Sequence, residues 1–90
     1  MTLFYDPSIE IHKIYAKMTS PDNGSSGNQR TAQKLDPDKE YLVSGIEIGG
    51  WHTDIYLEGY NETFNSTNLS FYQDGEEIDI IEYFRPYFED

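Results

Sequence analysis

The sequence predicts a small, antiparallel all-β domain, and three observations carry that expectation. Tyr41-Leu42-Val43-Ser44-Gly45-Ile46-Glu47-Ile48 is dense in residues that favour extended backbone. Thr53-Asp54-Ile55-Tyr56-Leu57-Glu58 alternates cleanly, with Thr53, Ile55 and Leu57 on one face and Asp54, Tyr56 and Glu58 on the other. Thr67-Asn68-Leu69-Ser70-Phe71-Tyr72 places Leu69 and Phe71 on a shared face and runs into Asp74-Gly75, a strong turn signal.

Taken from the N-terminus, the first segment admits two readings. Asp6-Pro7 is suited to start a helix in which Ile11, Ile14, Tyr15 and Met18 recur at helical spacing. The stretch from Ile9 to Met18 also reads as a strand, with Ile9 and Ile11 alternating against Glu10 and His12. The strand is preferred because a meander needs a further strand to cover its edge. Residues 19–38 then form a long polar stretch holding Pro21, Asn23, Gly24, Ser25, Ser26, Gly27 and Asn28 and ending in Asp36-Pro37-Asp38. That composition predicts a flexible loop, disordered when unbound or used to bind a partner.

Gly49-Gly50 suits a tight hairpin between the strands at 41–48 and 53–58. Gly45 marks a bulge or sharp bend. The run at 67–72 follows the polar connector Asn61-Glu62-Thr63, so three consecutive strands are expected to pair as a meander. From Ile78 to Phe88 the apolar residues crowd together: Ile80, Ile81, Tyr83, Phe84, Tyr87 and Phe88. Pro86 interrupts any helix there, so the expectation is a short strand followed by a turn, a single helical turn or a 3-10 turn across the end of the domain.

Ninety residues are enough for one core, hence a single domain over 1–90. The apolar share is only 37%, but eight Tyr, five Phe and one Trp supply large side chains to fill that core. With no cysteine, disulfides, thiolate metal sites and thiol catalysis are excluded. The chain opens without a basic, apolar leader and has no membrane-length apolar run, which predicts a soluble, intracellular protein that does not engage a membrane. The four Asn-x-Ser/Thr sequences at Asn23, Asn61, Asn65 and Asn68 are then turn chemistry rather than glycosylation sites.

The net charge of −11 is unevenly spread. Residues 1–45 carry six acids against five Lys or Arg, whereas residues 46–90 carry eleven acids against Arg85 alone. A field of that sign repels phosphate backbones and disfavours direct nucleic-acid binding. It attracts basic protein surfaces, although many acidic surfaces serve only solubility.

Residues for catalysis are missing. There is no phosphate-cradling glycine loop, no His-Glu-x-x-His, no Gly-x-Ser-x-Gly and no EF-hand loop. His12 and His52 read as strand residues, and no cofactor is implied. Asp36-Pro37-Asp38-Lys39-Glu40 and Glu77-Ile78-Asp79 set carboxylates two apart, a weak divalent-cation pattern that any acidic chain contains. The expectation is a protein that is not an enzyme. Its candidate partner-binding residues are Asp54, Tyr56, Glu58, Tyr72, Asp74, Glu76, Glu77, Asp79 and Glu82. Tyr beside carboxylate suits Lys and Arg, because the acid meets the charge while the ring packs on the side chain.

Residues 41–57, with the Trp51-His52-Thr53 hairpin, followed by Phe64-Asn65-Ser66, resemble a loose group of short phage and prophage proteins of Gram-positive bacteria. The resemblance spans about residues 35–82 and leaves the 19–38 loop and the aromatic C-terminus outside. It implies an SH3-like barrel opened by the Lys39-Glu40-Tyr41-Leu42-Val43 strand. By analogy with small acidic phage proteins, it also implies a stoichiometric inhibitor or adaptor of anti-CRISPR or other anti-defence type. Such a protein engages a basic surface on a host nucleic-acid-binding protein, for instance a CRISPR effector. The alternative is a phage structural or assembly protein that self-associates through the barrel. A small enzyme or a metal-dependent binder is a third and weaker reading.

Overall fold

Tyr41–Ile48 forms the strand around which the rest is arranged, because both of its edges are paired. The computed structural model describes residues 2–4, 13–49 and 52–88. In chain order the elements are β1 (Thr2–Phe4), β2 (Ile14–Met18), α1 (Ser26–Ala32), β3 (Tyr41–Ile48), β4 (Thr53–Leu57), β5 (Thr63–Asn65), a 3-10 turn (Ser66–Asn68), β6 (Leu69–Gln73), β7 (Glu76–Ile78) and α2 (Ile80–Phe88). All strand pairs are antiparallel, so the all-β expectation holds. The order is β5-β4-β3-β2-β6-β7, with β1 also on β3.

One edge of β3 takes β4. The other is shared, with β1 opposite Gly45–Glu47 and β2 opposite Tyr41 and Leu42. The register with β4 shifts between Val43, which faces Leu57, and Gly45, which faces Tyr56, leaving Ser44 as the extra residue. This is the irregularity expected at Gly45. It bends β3 where its neighbour changes from β2 to β1. At the β3–β4 turn the Gly49 N–H donates to the His52 carbonyl at 2.9 Å. A Cβ on Gly49 would lie 3.0 Å from that same oxygen, so close approach is what favours glycine there. Gly50 and Trp51 lie outside the described residues.

The alternations read from the sequence are the ones the core uses. Ile14, Ala16 and Met18 point inward from β2, Ile55 and Leu57 from β4, and Leu69 and Phe71 from β6, joining Val43, Ile46 and Phe64. The ambiguity over 7–18 resolves as strand for Ile14–Met18, where a period of two buries all three apolar side chains. The part of that reading resting on Ile9, Ile11 and His12 lies outside the described residues.

The meander needs correcting. The run at 67–72 does not lie beside β4. As β6 it pairs along the whole of β2, from Ile14↔Gln73 to Met18↔Leu69. The place beside β4 is taken by β5, a three-residue strand whose buried residue is Phe64. The 3-10 turn then redirects the chain, capped by the Asn65 side chain, which accepts from Thr67 N at 2.9 Å. Asn61-Glu62-Thr63 hid this strand because a single inward residue gives no detectable alternation.

The polar stretch 19–38 is folded instead of forming a structureless loop. Ser25 caps α1, its hydroxyl accepting from Asn28 N, and α1 contacts β5 and the 3-10 turn. Ala32 and Leu35 enter the core, and burying a side chain the size of Leu35 contributes roughly 1.5–3 kcal/mol. Asn68 holds the approach to the helix: its side-chain amide donates to the carbonyls of Ser20 at 2.7 Å and Asn23 at 2.9 Å. Gln29 adds bonds to the carbonyls of Asp22 and Gly24.

The C-terminal expectation was too short. A strand and a single turn were expected, but α2 runs from Ile80 to Phe88 with Pro86 inside it. Proline removes one backbone donor and crowds the preceding turn. The Asp79 cap and the packing of Ile80, Ile81 and Tyr83 on the core support the helix against that cost. No helix among the described residues is long and apolar enough to cross a membrane.

Candidate protein-binding surface

The β6–β7 hairpin is shaped by two residues with positive φ, Asp74 at 53° and Gly75 at 83°. Positive φ at both central positions is the two-residue turn whose twist matches paired strands. Gln73 and Glu76 face one another at its base. The turn therefore projects Asp74, Glu76 and Glu77 into solvent, and all three are exposed. Glu77 stands opposite Tyr72, which stands opposite Tyr15 on β2.

Asp79 is exposed but has a structural role. Its Oδ1 accepts from Ile81 N at 3.0 Å and Glu82 N at 3.2 Å, capping α2. The sequence signal was available, since Asp79 precedes an apolar run and Glu82 follows at the third position. Glu82 itself pairs with Arg85, whose Nε lies 3.1 Å from its Oε1.

The other three candidates are on β4. Asp54 faces Glu47 on β3 and Asn65 on β5, and its Oδ2 lies 3.3 Å from His52 Nε2. Tyr56 is half-buried opposite Gly45 and Thr63, and Glu58 is exposed just beyond the strand. Strands β3 and β2 lie between β4 and β6 in the sheet order. The nine candidates thus form two groups: Asp54, Tyr56 and Glu58 on one, and Tyr72 to Glu82 on the other.

Several neighbours escaped the sequence reading. Lys17 Nζ lies 5.4 Å from the centre of the Tyr72 ring and 3.8 Å from Glu40 Oε1. Lys13, Tyr15 and Lys17 alternate with the buried Ile14 and Ala16, which sets them on the outer face of β2. That alternation was visible, but without the β2–β6 pairing nothing linked it to Tyr72.

Among the described residues, Phe64 and Phe71 belong to the core and Tyr41, Tyr60 and Tyr83 lean on it. Tyr41 packs edge-to-face on Tyr60 at 5.8 Å, and Tyr60 does the same on Phe64 at 5.4 Å. The Tyr41 hydroxyl accepts from Asp36 N at 2.8 Å. The Tyr60 phenol is pushed above its ordinary value by loss of solvent, then by Tyr41 and Glu62 beside it. The alternating acids serve local backbone bonds: Asp36 Oδ1 accepts from Asp38 N at 2.9 Å, and Asp79 caps α2. Among the described residues no group of three or more His, Asp or Glu is placed to hold a metal ion.

A family model described as bacteriophage T4 protein Y07B matches residues 13–88. The chain belongs to that phage protein family. The match runs from the residue before β2 to the end of α2, so it takes in α1 and α2, which the looser resemblance over 35–82 had left out. No curated protein and no solved structure matches the chain.

Proposed function

We propose that the protein is an acidic binding module that engages a basic surface of a host nucleic-acid-binding protein and blocks or redirects it stoichiometrically, in the host cytoplasm. The observation that carries this reading is the exposed set of Asp74 in the two-residue turn and Glu76 and Glu77 on β7, next to the acidic start of α2. Carboxylates held on a hairpin lose little freedom on binding, so more of their attraction for Lys and Arg survives as affinity. Membership of a phage protein family is consistent with a host target, and the CRISPR or other defence effector named as its class comes from analogy with small acidic phage proteins. The bent sheet, with two strands sharing one edge of β3, is read as an SH3-like barrel in this proposal.

The test is capture from host lysate by immobilised protein, eluted on a salt gradient and identified by mass spectrometry. Glu76→Lys with Glu77→Lys is the matched variant. Asp79 is left intact, because reversing it would damage α2 as well. The reading expects nucleic-acid-binding proteins that elute early in the gradient and are lost from the double variant. Capture unchanged by salt and by the reversal contradicts it. Light scattering of the purified chain covers the structural-protein alternative, which expects a defined homo-oligomer and no basic partner.

A further inference from the structure

The outer face of β2 and β6 carries a groove that shares Tyr72 and Asp74 with the acidic binding surface and adds Lys13, Tyr15, Lys17 and Glu40, which that reading does not use. Lys13 just before β2, Tyr15 and Lys17 on β2, Tyr72 on β6, Asp74 and Gly75 of the hairpin turn, and Glu40 before β3 line a groove of about 360 Å³. Two of the six Lys and Arg of a strongly acidic chain, Lys13 and Lys17, are thus set four residues apart on one face. Between them is Tyr15, directly across from Tyr72.

We propose that this groove binds a small anionic ligand bearing a planar ring, of the nucleoside monophosphate class. The volume lies within the range of small-molecule sites, roughly 300–1,000 Å³. The Lys13 and Lys17 ammonium groups both line the groove and suit a phosphate, whose oxygens accept charge-assisted hydrogen bonds from lysine. The Tyr15–Tyr72 row offers aromatic surface on which a base stacks without regard to its identity. Carboxylates of Glu40 and Asp74 at the same lining accept from ribose hydroxyls or base amino groups.

Gly75 leaves the rim open. A side chain there would meet nothing within 4 Å, so the hairpin turn does not close the site. The two lysines are balanced by the two acids, which makes this lining neutral within a protein of net charge −11. At physiological salt the acids farther than roughly 8 Å are largely screened, while Glu77, opposite Tyr72, borders the groove on its acidic side. A longer nucleic-acid strand would leave the groove and meet the acidic surface, so the site selects a single nucleotide over a polymer.

Lys17 is already held by Glu40 and by the Tyr72 ring. The phosphate therefore competes for Lys17 and finds Lys13 as the second ammonium. Binding of this kind loosens the Lys17–Glu40 contact and is expected to be salt-sensitive.

The experiment is a titration of the isotope-labelled full chain followed by amide NMR, with AMP, ribose 5-phosphate and inorganic phosphate as separate probes. The expected result is saturable shifts confined to residues 13–17, 40 and 70–75, with AMP binding about tenfold more tightly than ribose 5-phosphate because it alone stacks. Lys13→Ala should weaken AMP about tenfold, the worth of one charged hydrogen bond. Lys34→Ala, at a lysine paired with Glu62 elsewhere, should leave binding unchanged. Tyr72→Leu keeps apolar surface and should erase the advantage of AMP over ribose 5-phosphate. No shift at millimolar AMP overturns the proposal. So does equal binding of AMP and inorganic phosphate, or AMP binding that Lys13→Ala leaves intact while the variant remains folded.

Discussion

Residues 19–38 and residues 69–82 are both polar, turn-rich and poor in continuous apolar sequence, yet they are built differently. The first is drawn against the core. Ala32 and Leu35 are buried in it, and Asn68 ties the approach through two side-chain hydrogen bonds to backbone carbonyls. The second is held by the β2–β6 ladder and by its inward row, Leu69, Phe71 and Ile80, and turns its charges outward. Polar composition therefore specifies that a segment lies at the surface. Whether it is fastened there depends on a few anchors, which a composition average cannot register.

Breaking the anchors of the first segment should have the largest effects. Leu35→Ala should cost about 2–5 kcal/mol, through lost burial and the cavity left behind. Urea unfolding measures it, and an unchanged midpoint would show that the α1 segment is not part of the cooperative core. Asn68→Ala comes next, at about 1–3 kcal/mol, because the carbonyls of Ser20 and Asn23 lose their donor. Amide exchange should quicken across 19–25 before it does so in β3.

The second segment should respond less in stability. Asp79→Ala removes the α2 cap and should cost about 0.5–2 kcal/mol, with helical circular dichroism as the readout. Glu76→Lys with Glu77→Lys should shift stability by no more than about 0.5 kcal/mol per site, since both are exposed. That contrast, a stable variant that has lost its partner, separates a binding surface from a structural one.

A pH measurement sharpens the same comparison. The Tyr60 phenol is held above its ordinary value, so the folded state keeps the proton that the unfolded chain gives up. Its contribution is full below the ordinary tyrosine value, about 10, and is lost as pH rises through the folded value. Tyr60→Phe should flatten that alkaline decline in the melting temperature.

The inward alternations at Ile55 and Leu57 and at Leu69 and Phe71, the bulge at Gly45 and the turn at Asp74-Gly75 were all legible in the sequence. Each is a local signal with a period or a backbone requirement. What was not legible depends on pairing at a distance. The β2–β6 register, the three-residue β5 and the docking of α1 through Leu35 have no signature of their own. The candidate surface divides in the same way. The exposed hairpin acids could be read directly from their charge, but the capping role of Asp79 was passed over. The company of Lys13, Lys17 and Tyr72 needed the fold.

The central claim is that the hairpin acids stand where nucleic acid would otherwise sit on a basic partner. Competition tests it most directly: a captured partner is challenged with duplex oligonucleotide at fixed ionic strength, and the protein released is measured. The account predicts displacement that rises with oligonucleotide concentration, together with little capture by the Glu76→Lys, Glu77→Lys variant. A partner that holds the protein and the duplex together, with neither displacing the other, would contradict it.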